Sequence, residues 1–225
     1  MPFKLSLGTS VLALALIFPL ALLLGACSSS PSGYDSTVLI HGRGGDELGV
    51  ATDLGVVFLG HGQSSGDVDY TVFFGDGPSR ERGTIESLAS GLYALQPELR
   101  LPSVTIGYPD LVAGDKVILR GHHGRKHWES TARVATNPRA EGLLLKARGL
   151  GDLTNRDRGA GVYVRFNDRL VLIGLVQGRL TLPTDGGGTS KYIAVAGAHE
   201  LIGLGLQGRA RHLPPVPVRR HDALR

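Results

Sequence analysis

The chain is punctuated along most of its length. From Thr37 to Ala196 short apolar runs alternate with Gly, Pro, Asp and Asn, so strands joined by turns are expected rather than long helices. The runs are Thr37–His41, Val56–Gly60, Tyr70–Phe74, Gly83–Leu88, Leu92–Leu95, Lys116–Arg120, Thr131–Ala135, Gly142–Ala147, Val162–Phe166, Leu170–Gln177 and Tyr192–Ala196. Turn signals such as Asp76-Gly77-Pro78 and Asn167-Asp168 close several of them. Many short strands about ten residues apart predict an antiparallel barrel or sandwich. The 33 glycines, about twice the usual share, and an aromatic content of 6 % fit that reading. One segment departs from it: Ala198–Leu206 reads as a short C-terminal helix, even with Gly203 and Gly205 inside it. No repeat of fixed period is present.

The N-terminus carries a different signal. Lys4 precedes an apolar run, Val11 to Leu24, interrupted by Pro19. A helix across a bilayer of ~30 Å needs about 20 residues, so the run is too short to span and reads as a secretory signal. It ends Leu24-Gly25-Ala26-Cys27, followed by Ser28-Ser29-Ser30-Pro31-Ser32-Gly33. This resembles a bacterial lipobox, which implies cleavage before Cys27 and acylation of its thiol with palmitate-like chains. The Ser/Pro/Gly stretch then serves as a flexible leash. An uncleaved anchor and an ordinary cleaved signal are the alternatives. Ser28 after the cysteine, with no aspartate there, resembles the Gram-negative sorting signal for the periplasmic face of the outer membrane. The expected division is 1–26 signal peptide, 27–36 lipidated cysteine and leash, 37–207 folded domain, and 208–225 tail.

Charge and cysteine usage narrow the partners. A net charge of +4 is too mild to argue for nucleic acid, and part of it lies in the tail, where Arg209–Arg225 holds five arginines and two histidines. That tail reads as a disordered, solvated end, with contact to anionic lipid or an envelope polymer as the alternative. Cys27 is the only cysteine, so the folded part has no disulfide and is held by its core. No cofactor is expected.

Taken in order, the pieces of the mature chain resemble the trypsin-like serine proteases, the Deg/HtrA branch above all. Asp53-Leu54-Gly55-Val56-Val57-Phe58-Leu59-Gly60-His61-Gly62 is similar to the strand and turn that deliver the catalytic histidine. Asp69–Gly77 resembles the next strand and its hairpin. Ser90-Gly91-Leu92-Tyr93-Ala94-Leu95 stands where the family writes Thr-Asp-Leu-Ala-Leu-Leu. Leu101–Gly107 and Leu111–Val117 resemble the linker into a second barrel. Arg156-Asp157-Arg158-Gly159-Ala160-Gly161 stands where the family has Gly-Asn/Asp-Ser-Gly-Gly-Pro, and Arg169–Val176 matches the strand that follows. Lys191–Ala196 and the helix after it resemble the closing strand and helix. The resemblance covers about 37–207 and implies an all-β fold of two antiparallel six-stranded β-barrels with a short C-terminal helix.

A serine protease needs a hydroxyl nucleophile, a histidine to take its proton and an acid to orient the imidazole. By the resemblance, the histidine is His61, the acid position is Gly91 and the nucleophile position is Arg158. Serine is absent between Ser130 and Ser190, and Thr154 is the nearest hydroxyl upstream of Arg158. Loss of triad members costs on the order of a millionfold in turnover. The expectation is a trypsin-like fold without proteolysis, serving as a non-catalytic binding or scaffolding protein of the cell envelope. The resemblance also places the former oxyanion-hole donors at the backbone of Arg156 and Arg158. With the Arg158 guanidinium beside them they would bind a peptide carboxylate or another anionic envelope ligand. The plainer alternatives are that Arg158 is solvated or paired with an acid, and that His61 is a histidine left in a turn. An active peptidase using His61 is the enzymatic alternative.

Two other patterns carry chemistry. Val38-Leu39-Ile40-His41-Gly42-Arg43-Gly44-Gly45 looks like the oxyanion loop of α/β-hydrolases, but no Gly-x-Ser-x-Gly follows and the alternating helices are missing. His122, His123 and His127 are close enough in sequence to suggest zinc or copper. Arg125 and Lys126 between them oppose a cation, so an exposed loop is the expectation and a metal-binding lipoprotein the alternative.

Overall fold

A computed structural model describes residues 36–197, apart from 43, 53–54, 61–65, 75–76, 90, 99–100, 108–109, 125, 141, 148–152 and 154. The lipobox with Cys27, the histidine His61, the expected C-terminal helix and the basic tail lie outside the described residues.

Among the described residues thirteen strands run in order: β1 (Thr37–Gly42), β2 (Gly45–Thr52), β3 (Gly55–Phe58), β4 (Gly66–Phe74), β5 (Gly77–Ala89), β6 (Leu92–Pro97), β7 (Thr105–Ile106), β8 (Lys116–His123), β9 (Lys126–Ala135), β10 (Leu143–Ala147), β11 (Gly161–Phe166), β12 (Arg169–Pro183) and β13 (Thr189–Gly197). A short 3-10 helix, Asn155–Asp157, precedes β11. The first six strands close into an antiparallel barrel in the order β1-β2-β3-β6-β5-β4. β8 to β13 close likewise as β8-β9-β10-β13-β12-β11 through the β11–β12 and β11–β8 pairings, so the two barrels share one topology. Closure pairs every strand of each six-stranded ring on both sides. β7 adds alongside β12 in parallel, outside the ring of the second barrel.

All eleven strands expected from the sequence are present. β2 is an addition. Its first residues carry turn chemistry, and the rest is buried on both faces, so it shows no alternation. Ala51 joins the core of the first barrel with Val38, Ile40, Phe58 and Tyr70. Leu48 packs into the core of the second barrel with Leu119, Leu145, Val162 and Ile193. A third cluster joins the barrels: Val50, Val57, Leu59 and Leu92 from the first meet Tyr163, Leu172, Leu175 and Ala196 from the second, with Val104 and Ile106 of the connection between them. Each fully buried aliphatic or aromatic side chain contributes about 1.5–3 kcal/mol. The junction is therefore a core in its own right, and it fixes the position of the turn that leads into β11.

Candidate functional site at the barrel junction

The turn from Asn155 to Ala160 lies where the second barrel meets the first. Backbone bonds fold it tightly: the Ala160 N–H donates to Asp157 O (3.0 Å), the Gly159 N–H to Val176 O (2.8 Å), and the Val176 N–H to Ala160 O (2.9 Å). Asp157 is fully buried, and its Oδ1 lies 2.6 Å from Nε2 of His123 at the end of β8. A carboxylate taken out of water needs such partners, and this one ties the turn to the first strand of its own barrel.

Gly159 presses the turn onto the other barrel. Its φ is +84°, and a Cβ there would stand 1.9 Å from the carbonyl oxygen of Leu48 in β2. Only glycine fits both the left-handed backbone and that close approach. Gly161, at the start of β11, lies against the Tyr163 ring, where a Cβ would meet the hydroxyl at 2.3 Å. The Tyr163 hydroxyl is pushed up to about 12 from the ordinary 10.0, chiefly by burial; the Ser36 hydroxyl and the charge on Arg120 pull it the other way.

Arg158 is half-buried and reaches across the junction. Its Nε donates to the Leu59 carbonyl at 3.3 Å, two residues before His61. Among the described residues it forms no ion pair with a carboxylate. The guanidinium is thus directed at the Leu59 carbonyl, just past the end of β3. Arg156 is exposed on the same turn. Gly91, at the position the resemblance gives to the acid, has φ +78°, and no described residue lies within 4 Å of where a Cβ would stand.

The three histidines of the second barrel do not converge. His122 and His123 are neighbours on β8 and project to opposite faces. His123 turns to Asp157, whereas His122 is buried and stacked on Phe73 of the first barrel, ring centroids 3.9 Å apart and planes at 10°. His127 stands across the hairpin from His122, with centroids 6.1 Å apart. Among the described residues no three His, Cys, Asp or Glu side chains are grouped to hold a metal ion. Sequence reasoning missed the His123–Asp157 pair because its members are far apart in the chain and meet only when β8 pairs with β11.

The double barrel defines the class: the chain has the fold of the trypsin-like serine proteases. Among solved structures it is similar to the Rv3671c protease of M. tuberculosis in an inactive form, with a TM-score of 0.51 and 19 % identity over 78 % of this chain and 89 % of that one. It is also similar to the MamO protease domain of Magnetospirillum magneticum in its apo form, with a TM-score of 0.50 and 15 % identity over 82 % of this chain and 98 % of that one. At these identities the likeness is one of fold. No family model matches the sequence, and no curated protein matches it.

Proposed function

We propose that this protein is a membrane-anchored lipoprotein of the cell envelope whose protease-like cleft binds rather than cuts. The observation that carries the reading is that the Arg158 guanidinium, at the position the resemblance gives to the nucleophile, reaches the Leu59 carbonyl across the junction. A cation cannot attack a carbonyl, and Gly91 offers no carboxylate to orient His61. What remains is a positively charged junction suited to an anionic group, such as a peptide carboxylate. The lipobox at Cys27 and the Ser-rich leash support attachment to a membrane, and Ser28 supports the periplasmic face of the outer membrane.

Two measurements test this. Metabolic labelling with a palmitate analogue should tag the chain, and Cys27→Ser should abolish the tag. Calorimetry with a short peptide bearing a free C-terminal carboxylate should show binding that Arg158→Ala weakens by about tenfold or more, the magnitude of one charge-assisted contact. Equal affinity in Arg158→Ala would overturn the anion-binding role.

A further inference from the structure

Away from the junction, the outer face of the first barrel holds a chain of three polar side chains. His41 in β1 stands opposite Asp46 in β2, and its Nδ1 lies 2.8 Å from Asp46 Oδ1. Its Nε2 lies 2.7 Å from Oγ1 of Thr71 in β4, the strand on the other side. A carboxylate at Nδ1 keeps the imidazole proton on that nitrogen, which leaves Nε2 to accept from the Thr71 hydroxyl. Acid, imidazole and hydroxyl in this order are what activates an alcohol as a nucleophile. The His41 side chain is 23 % exposed and Asp46 59 %. The imidazole is therefore held between strands, with its acid at the surface.

Thr71 also lines a cavity of about 300 Å³, together with Leu39, Phe73, Pro78, Arg80 and Gly124. Leu39, Phe73 and Pro78 make its wall apolar. Gly124 belongs to the β8–β9 hairpin, so the second barrel supplies one side. Arg80 brings a cation to the same space. It donates through Nη2 to Asp69 Oδ2 at 2.9 Å, and its guanidinium has further N–H donors beyond that one. The volume is at the low end of ligand pockets, which run from about 300 to 1,000 Å³. A small apolar acyl group fits that chemistry.

We propose that Thr71 is the nucleophile of an esterase-type site for esters of short apolar acids, with His41 as general base, Asp46 as the group that orients it, and Arg80 facing the developing oxyanion. Thr71 Oγ bonds to the ester carbonyl carbon while its proton passes to His41 Nε2. The C–O bond to the alcohol then breaks, and the alcohol leaves with that proton. Water attacks the acyl-threonine through the same base and returns the free Thr71 hydroxyl and the carboxylic acid. An ester is favoured over an amide because an alkoxide leaves more readily than an amide anion, and this site offers one cation to stabilise the charge. It shares no residue with the junction site and does not depend on the binding role proposed there.

The test is p-nitrophenyl butyrate hydrolysis by the full chain and its Thr71→Val, Thr71→Ser and His41→Gln variants. The expected result is nitrophenol release that falls at least about a hundredfold in Thr71→Val and His41→Gln, the usual scale of general-base catalysis. Thr71→Ser should stay within about tenfold of the parent, since it keeps the hydroxyl. A fluorophosphonate adduct should map to Thr71 by peptide mass spectrometry. Should Thr71→Val fail to fold, the Ser and Gln variants and the mapped adduct decide. No release from the parent chain, release that survives loss of the hydroxyl or imidazole, or an adduct on another residue would each overturn the proposal.

Discussion

Oδ1 of Asp157 lies 2.6 Å from Nε2 of His123, and this pair fastens the turn beneath Arg158 to the end of β8. The carboxylate is wholly buried while 45 % of the imidazole side chain is exposed, so the two ends of the bond differ in what their loss costs. His123→Ala strips a donor from a buried acid and should destabilise the fold by about 1–3 kcal/mol in urea unfolding. Asp157→Asn keeps the shape but weakens the bond. Combined, the two changes should cost less than their sum by on the order of 1 kcal/mol, because they share one interaction. Strict additivity would mean that the pair is not coupled.

Gly159 and Gly91 offer a controlled comparison. Both hold left-handed backbone, at φ +84° and +78°. A Cβ on Gly159 would collide with the Leu48 carbonyl at 1.9 Å, whereas a Cβ on Gly91 meets no described residue within 4 Å. Gly91→Ala should therefore cost only the backbone penalty, about 1–2 kcal/mol. Gly159→Ala should add about 1–3 kcal/mol of overpacking and separate the turn from β2. Paired denaturant curves measure the difference, and equal losses would contradict the close approach.

Stability should fall in alkali, with a slope traceable to one residue. Burial raises the Tyr163 hydroxyl from 10.0 to about 12. Below pH 10 both folded and unfolded chains hold the proton, and the full stability is present. Between about pH 10 and 12 the unfolded chain releases it first and is favoured, and above the folded value the loss is complete. Two units correspond to on the order of 2–3 kcal/mol. Tyr163→Phe should flatten that part of the stability–pH curve, and an unchanged slope would assign it elsewhere.

On the proposed assignment, a serine placed at position 158 should not by itself make the chain a protease. Arg158→Ser supplies a hydroxyl, but Gly91 still provides no acid to orient the imidazole, and triad members act as a unit. The expected result is no casein cleavage by Arg158→Ser above the parent chain. Cleavage at a clear rate would show that another residue fills the acid's role.

Much of this architecture was legible in the sequence because each strand carries its own apolar run and its own turn residues, as in Val162–Phe166 followed by Asn167-Asp168. β2 was hidden because burial on both faces, by Leu48 and Val50 toward the second barrel and Ala51 toward the first, erases the alternation that marks a strand. β7 was hidden because two residues held by one parallel ladder leave no pattern. At the site, Arg158 stood out because a protease-like turn has no chemical use for arginine at that place. His123 with Asp157, and His41 between Asp46 and Thr71, were not legible. Those partners meet through strand pairing across the closed sheets, and nothing in the local sequence announces it.

The most direct test of the central claim is incubation of the full chain with casein beside its His61→Ala variant. The binding reading predicts no cleavage from either. Cleavage by the parent that His61→Ala abolishes would contradict it, and the catalytic site would then have to be redrawn around a nucleophile other than position 158.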